Sequence, residues 1–474
     1  MGMNPRILLL AAATSLAGLA WLERPVEACG GCFVPTENNT VVTDHRMILS
    51  IDLQQSTLYD QIQYQGSPES FAWVLPIRGE AKVGVSADAV FAALDSQTSV
   101  QVIQPPRNCP APTNCRSNED LASSAGGSSS GGNAAPSVEV LKQETVGPYE
   151  TVQLRSTDPE ALRTWLTERG FQIPPVVSSI ITSYVNEQFD FLAIKLVPGQ
   201  GTQAMVPIRV TTPGASPQLP LRMVAAGTGA NVGITLWTIA DGRWEAQNFP
   251  SFVVKETELS WDWITSSSNF KAMRAKHVSE LGTASWENES SIALNVGTIS
   301  SIVNQAQFRG NDGTSQYQAI KDANGKVIKT SEEVFVEDMT TLLNGSASNN
   351  SSRSVRVTRM RADLPQASLA ADLSLQASAD QSVLARTRIV TKESNQPTCP
   401  IYDGCKVVGE GPRDAAIASV DADGGLGGGA CSTKRTHEGW LGGSFAVCAA
   451  GGLLIARRRV GRVGRGSRNT KSSR

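Results

Sequence analysis

Met205-Val206-Pro207-Ile208-Arg209-Val210, Leu219 to Val224, and Gly233-Ile234-Thr235-Leu236-Trp237-Thr238-Ile239 are three apolar runs in close succession. They are short, rich in β-branched residues and bounded by turn residues, so they read as strands. Asp241-Gly242 behind the last run is a hairpin-turn signal. Working outward, Val41 to Ile51 and Leu58 to Ile77 carry the same strand-like pattern. Gly66-Ser67-Pro68 makes a turn there, ahead of the run Phe71-Ala72-Trp73-Val74-Leu75-Pro76. Phe189 to Val197, Val355 to Met360 and Asp372 to Gln376 are further expected strands.

Helical spacing enters at a few places only. Ser86 to Leu94 predicts a short helix capped by Ser86, with Val90, Phe91 and Leu94 inward. Thr157-Asp158-Pro159-Glu160 predicts a capping box with proline in the first turn, and Gly170 a C-terminal stop. Further helices are expected from Val176 to Asn186, from about Ser268 to Leu281, and from Glu332 to Leu343. Strand and helix do not alternate in a sustained way, which argues against a doubly wound sheet. The expected fold class is α+β: antiparallel β-rich sheets with a small number of inserted helices.

The two ends read as targeting segments. Residues 1–28 have the three-part layout of a signal peptide, with Val26 and Ala28 at the −3 and −1 positions of a cut before Cys29. At the other end a Gly-rich stretch leads to Cys431, then to an apolar segment, 440–456, and a basic tail, 457–474, that opens with Arg457, Arg458 and Arg459. The apolar segment would span roughly 25 Å as a helix, short for a bilayer. The arginines predict that the tail stays cytoplasmic and the body faces outward. The organisation expected is an exported body at 29–410 with a flexible Ser/Gly insertion at 117–137, a linker and spacer at 411–439, a transmembrane helix, and the tail. The order of linker, cysteine, apolar helix and arginines resembles the C-terminal sorting signals of myxobacterial surface proteins. That resemblance implies transient anchoring, a sorting protease cutting near Cys431, and retention at the cell surface.

Charge narrows the partners. The chain has 42 Lys and Arg against 44 Asp and Glu. With so basic a tail the body must be acidic, so no nucleic-acid surface is expected. Six of the eight cysteines fall into three close pairs: Cys29/Cys32, Cys109/Cys115 and Cys399/Cys405. In an exported chain such pairs read as disulfides, with connectivity open. Local pairing, 109–115 and 399–405, is the expectation, because short loops close at small entropic cost. Cys29-Gly30-Gly31-Cys32 also has the spacing of a thiol-redox motif or half a zinc site.

No recognisable catalytic motif accompanies these features. The histidines are His45, His277 and His437, none at metal-ligand spacing, and there is no H-E-x-x-H. No cofactor is expected. Most tryptophans sit in apolar runs and read as core. Trp261-Asp262-Trp263 is different, since two rings on one strand face beside a carboxylate could form a ligand platform.

Several segments together resemble the bacterial family called domain of unknown function 2330. They are Ala28-Cys29-Gly30-Gly31-Cys32-Phe33, Ile62 to Gly66 with Phe71 to Pro76, Ala161 to Leu166 with Gly170 to Pro174, Leu219-Pro220-Leu221-Arg222, and Val357 to Arg361. The resemblance implies an exported protein with a membrane-targeted tail, and it transfers no catalytic or binding residue. The function expected is that of a non-enzymatic binding or structural module of the cell envelope. The alternatives are a redox or metal protein using Cys29 and Cys32, or a hydrolase with no recognisable motif.

Overall fold

A computed structural model describes residues 32–33, 41–65, 72–111, 143–168, 173, 175–197, 205–225, 228–308, 315–321, 325–344 and 353–423. The expected leader, the Ser/Gly insertion, the transmembrane segment and the basic tail lie outside them. Among the described residues no helix is long and apolar enough to cross a membrane.

Two sheets carry the fold, which is α+β and mostly antiparallel. The larger has eight strands in the order β14 (Ser251–Phe252), β16 (Trp286–Asn295), β17 (Ser354–Pro365), β12 (Thr228–Ala240), β2 (Val41–Ile51), β3 (Gln55–Gln65), β10 (Ile208–Pro213), β5 (Lys82–Val85). Two of its pairs, β2 with β12 and β14 with β16, are parallel. The smaller sheet runs β1 (Cys32–Phe33), β4 (Ala72–Ile77), β9 (Asp190–Leu196), β8 (Tyr149–Leu154), β7 (Gln143–Val146).

The apolar run at the centre of the sequence makes sense in this frame. Ile234 and Leu236 face one side of β12 while Trp237 and Ile239 face the other, and all four are buried. A strand covered on both faces reads as continuous apolar sequence. One face packs under α1 (Asp88–Thr98), α6 (Val296–Ala306) and α7 (Ser331–Leu342), joining Ile48, Tyr59 and Val357 to Phe91, Ile299 and Met339. The other face meets α4 (Leu221–Ala225) and a small sheet of β11 (Gln218–Leu219), β18 (Leu373–Ala377) and β13 (Trp244–Ala246). The smaller sheet buries Val74, Phe191 and Ala193 against α2 (Pro159–Glu168) and α3 (Pro175–Asn186).

Helix α7 is fixed to the large sheet by a buried polar seam. Asp338 has no exposed side-chain area. Its Oδ2 accepts from Ser86 Oγ at 2.6 Å and from the Tyr317 hydroxyl at 2.8 Å, and Arg209 Nη1 lies 3.4 Å from Oδ1. Burial pushes the Asp338 carboxyl up, and the Arg209 charge opposes that shift. Burial also weighs against the Arg209 guanidinium, but Asp338, Tyr59 and Glu337 outweigh it and hold it charged.

Several local expectations are corrected. Helix α1 begins at Asp88 with Ala87 as its N-cap, because the Ser86 hydroxyl is committed to Asp338. At α2 the cap is Asp158, whose Oδ1 accepts from Glu160 N at 2.9 Å, one residue later than the expected Thr157 box. Leu219 to Val224 is strand only as far as Leu219. Pro220 has no N–H for the ladder, and its carbonyl accepts from Met223 N as α4 begins. Asp241-Gly242 is not a hairpin turn, since β13 pairs with β18 and not with β12. The Gln381 side chain bonds both Arg243 N and Arg243 O, taking up backbone groups a hairpin would have used. Arg413–Asp423, at the start of the expected linker, forms helix α8, and a hairpin of β20 (Thr398–Asp403) and β21 (Lys406–Pro412) precedes it.

Candidate functional site

A small cleft opens where the two sheets meet. Its floor is a cross-strand row, Leu49 opposite Leu58 and Leu58 opposite Val210, with Ser56 and Thr212 opposite each other in the next row. Its walls are Leu75, Ile77 and Phe189 on one side and Gln218 to Pro220 on the other. These side chains come from three separate hydrophobic clusters. The cleft is therefore a packing junction. Two family-like segments converge on it: Leu75 and Pro76 end one, and Leu219 and Pro220 begin the other.

Polar groups at one end of the cleft hold each other. Arg222 Nη2 donates to Glu187 Oε2 and to Asp372 Oδ2, each at 2.7 Å, and Arg222 N donates to Asp372 Oδ1 at 3.0 Å. The Tyr184 hydroxyl donates to Asp372 Oδ1 at 2.6 Å, and the Arg222 guanidinium lies over the Tyr184 ring. Hydrogen bonds from Arg222 hold the Glu187 carboxyl below the usual carboxylate range. Burial, and then the Asp372 charge, push the Tyr184 phenol well up. The Ser56 hydroxyl is also committed, donating to Gly214 O and accepting from Ser216 N. Leu49, Leu75, Ile77, Val210 and Leu219 are buried, so the floor and walls of the cleft are largely packed core.

Titratable groups crowd a second place, the α1-side face of β16 and β17. Arg359 bonds Asp95 and Glu289, and Arg46 and Arg359 lie over the Trp237 ring, 5.3 and 5.1 Å from its centroid. A register shift in β16 between Asn288 and Ser290 leaves Glu289 without an opposite residue on β17. Glu287 is 1% exposed; Arg274 Nε of α5 (Phe270–Leu281) lies 2.9 Å from its Oε2, yet neither carboxylate oxygen accepts a hydrogen bond of good geometry. Burial first, then the Glu289 charge, push Glu287 up to about 7. So little exposure puts the carboxyl out of reach of a substrate, and its effect is on stability.

The sign follows from proton counting. Between about pH 4.5 and 7 the folded chain keeps a proton on Glu287 that the unfolded chain has released. Stability therefore falls as pH rises through that window, by roughly 3 kcal/mol, and levels off above it. Glu287→Gln should have a urea midpoint that changes less between pH 5 and pH 8 than the parent's. Equal changes in the two proteins would mean that this carboxyl is not responsible.

The residues singled out from sequence fare unequally. Cys109 is bonded to Cys399 across 290 residues, so the local pairs 109–115 and 399–405 are not formed. The reason is tertiary: β6 (Gln101–Ile103) runs parallel to β19 (Thr387–Ile389), and Arg413 Nε donates to Arg107 O, which brings the two cysteine segments together. Cys405 is also disulfide-bonded. Cys32 lies in β1, opposite Trp73, which is not the helix N-terminus that thiol-redox chemistry uses. Ala28, Cys29, Cys115, Cys431, Arg457, Arg458 and Arg459 lie outside the described residues.

Trp261 and Trp263 are 9% and 8% exposed and pack edge to face with centroids 6.1 Å apart, inside a cluster with Phe252, Val254, Leu259 and Val390. Trp261 is in β15 (Ser260–Asp262) and Trp263 follows it in a turn. The carboxylate between them accepts from Ile264 N, Thr265 N and Asn395 Nδ2, so Asp262 shapes the turn. Buried faces and a committed carboxylate leave no open stacking platform. His45 pairs with Asp60 at 2.9 Å in the interior, and His277 lies 3.0 Å from Glu258.

The cleft residues themselves escaped sequence reasoning, because Leu49, Leu58, Val210 and Leu219 look like any core residues until their strands are placed side by side. The usable signal was the pair of Leu-Pro steps at Leu75 and Leu219, the first inside β4 and the second at the end of β11.

The description "uncharacterized protein conserved in bacteria (DUF2330)" matches residues 25–312. The match ends before Val357 to Arg361, although β17, which carries them, lies inside the large sheet between β12 and β16; the folded unit runs past the matched residues. No curated protein matches the chain. Among solved structures, that of baculovirus P35 is similar at a TM-score of 0.27 and 8% identity, covering 72% of this chain and 98% of that one, and a likeness at that level supports no argument. The family match spans more than half of the chain, which therefore belongs to the DUF2330 family of uncharacterized bacterial proteins.

Proposed function

We propose that this protein is an exported cell-envelope protein whose crosslinked body is a non-enzymatic binding or structural module. The observation that carries the reading is the Cys109–Cys399 bond, which joins the first third of the chain to the end of the body. Such bonds persist in oxidising compartments and are rare where thiols are kept reduced. The leader at 1–28 and the apolar and arginine-rich segments at 440–474 supply a route there. In this reading the tail anchors the body while a sorting protease acts near Cys431.

Fractionation tests it. Protease added to intact cells should digest the body, and a chain ending at Ala430 should leave the membrane fraction with its fold intact. A body protected in the cytosol, or a shortened chain still held in the membrane, contradicts the reading.

A further inference from the structure

We propose that α5 is a flap worked by pH: it lies closed over Glu287 while that carboxyl is protonated and lifts when the carboxyl ionises.

The geometry starts from two neighbouring strands at the edge of the large sheet. Phe252 of β14 and Glu287 of β16 are paired residues, so their side chains share one face. Helix α5 sets one side chain on each. The His277 ring stacks on the Phe252 ring with centroids 5.0 Å apart. Arg274, three residues earlier and on the same side of the helix, brings Nε to 2.9 Å from Glu287 Oε2 and Nη2 to 2.8 Å from Asp363 Oδ2. The helix thus covers a carboxyl that is 1% exposed.

The cover is held lightly. No residue of α5 is buried; Phe270, Met273 and Val278 rest half-buried on the cluster that contains Phe252, Val254 and Leu259. The N-terminal end is pinned, because the Asn269 side chain accepts from Ser260 N at 2.8 Å and donates to Glu258 O at 3.2 Å. The C-terminal end finishes at Gly282, at a φ of +100° and with open space where a Cβ would stand. A helix pinned at one end and released into glycine at the other can turn about the pin. Lifting uncovers the face of Phe252 that the His277 ring now covers.

Beneath the flap lies a group whose charge is poorly served. Facing Glu287 are Glu289 on its own strand, Arg361 and Asp363 on β17, Arg388 on β19 and Arg274 on the helix. The guanidinium groups have other commitments. Arg388 donates to Val254 O and Glu289 O, Arg361 donates to Asp363, and Arg274 is shared with Asp363. Neither Glu287 oxygen accepts a hydrogen bond of good geometry. An ionised carboxylate held this way needs water. Its other neighbours are strands of the large sheet, which part only when the fold does, so the short way to water is to lift α5.

The direction follows from proton counting. Closed, burial and then Glu289 push the carboxyl up to about 7; open, it returns toward the ordinary 4.5, so opening releases a proton. Opening becomes easier as pH rises, by about thirtyfold between pH 5 and pH 7, and levels off above that. His277 lies 3.0 Å from Glu258, and a proton lost there loosens the same half of the helix in the same direction.

Hydrogen exchange of the full chain, read on peptides from 270–281 and corrected for the intrinsic rate at each pH, tests the flap. Protection of α5 should fall about thirtyfold from pH 5 to pH 7, while α7 stays the better protected. Sub-denaturing urea should leave α5 exchange almost unchanged, because a local opening exposes little surface. Glu287→Gln keeps the shape without the ionisation, and its α5 should be nearly as protected at pH 7 as the parent's is at pH 5. His277→Gln should keep most of the parent's pH dependence. Exchange of α5 that ignores pH, that responds to pH equally in Glu287→Gln, or that follows α7 step for step as urea is added overturns the proposal.

Discussion

Unfolding in the presence of a thiol reductant is expected to lower the stability of the body by about 5 kcal/mol. The bond between Cys109 and Cys399 closes a loop of 290 residues, and chain entropy removed from the unfolded state grows with loop length. The effect should appear as a lower urea midpoint, with and without reductant, in equilibrium denaturation. Cys399 is fully buried, so the reductant has to act on the unfolded chain for equilibrium to be reached. Cys399→Ser alone should lose much less. Cys405 is in a disulfide of its own, which that variant keeps. A reduced midpoint within about 1 kcal/mol of the oxidised one would mean that the crosslinks fix only local shape.

Asp338→Ala should cost about 4 kcal/mol, the second large effect. It strips Ser86 and Tyr317 of their acceptor and leaves the Arg209 guanidinium, itself almost fully buried, with Glu337 as its remaining carboxylate. The penalty arises from what is left behind: buried donors and a charge with fewer partners. Asp338→Asn should lose less, because the amide oxygen can still accept, and burial already disfavours the charge it replaces. Urea midpoints of the two variants measure this directly. An alanine variant as stable as the parent would show that the seam is not what holds α7 on the sheet.

Elements whose cues are local were readable in advance. Val41 to Ile51 is a strand whose Met47, Ile48, Leu49 and Ile51 are buried on both faces and so form a continuous apolar run, and Val176 to Asn186 a helix because Val177, Ile181 and Tyr184 recur on one side of it. In four places a partner distant in sequence decided the structure. Ser86 looked like a cap and serves Asp338, 252 residues away. Asp241-Gly242 looked like a hairpin, but Gln381 satisfies the backbone at Arg243. Cys109 lies close to Cys115 in sequence, yet β6 and β19 carry it to Cys399. Trp261 and Trp263 have the spacing of a platform, and only the approach of Val390 and Asn395 shows that their faces are covered. The cleft has the same character: its floor is three strands wide, so no single segment announces it.

The body is expected to mature where thiols are oxidised, with its end stapled to the segment after β6. The most direct test is a peptide map, under non-reducing conditions, of the full chain taken from its own cells after rapid alkylation. A linked peptide pair carrying Cys109 and Cys399, free of alkylating label, is expected. Label on both cysteines, or the local pairs 109–115 and 399–405, would contradict it.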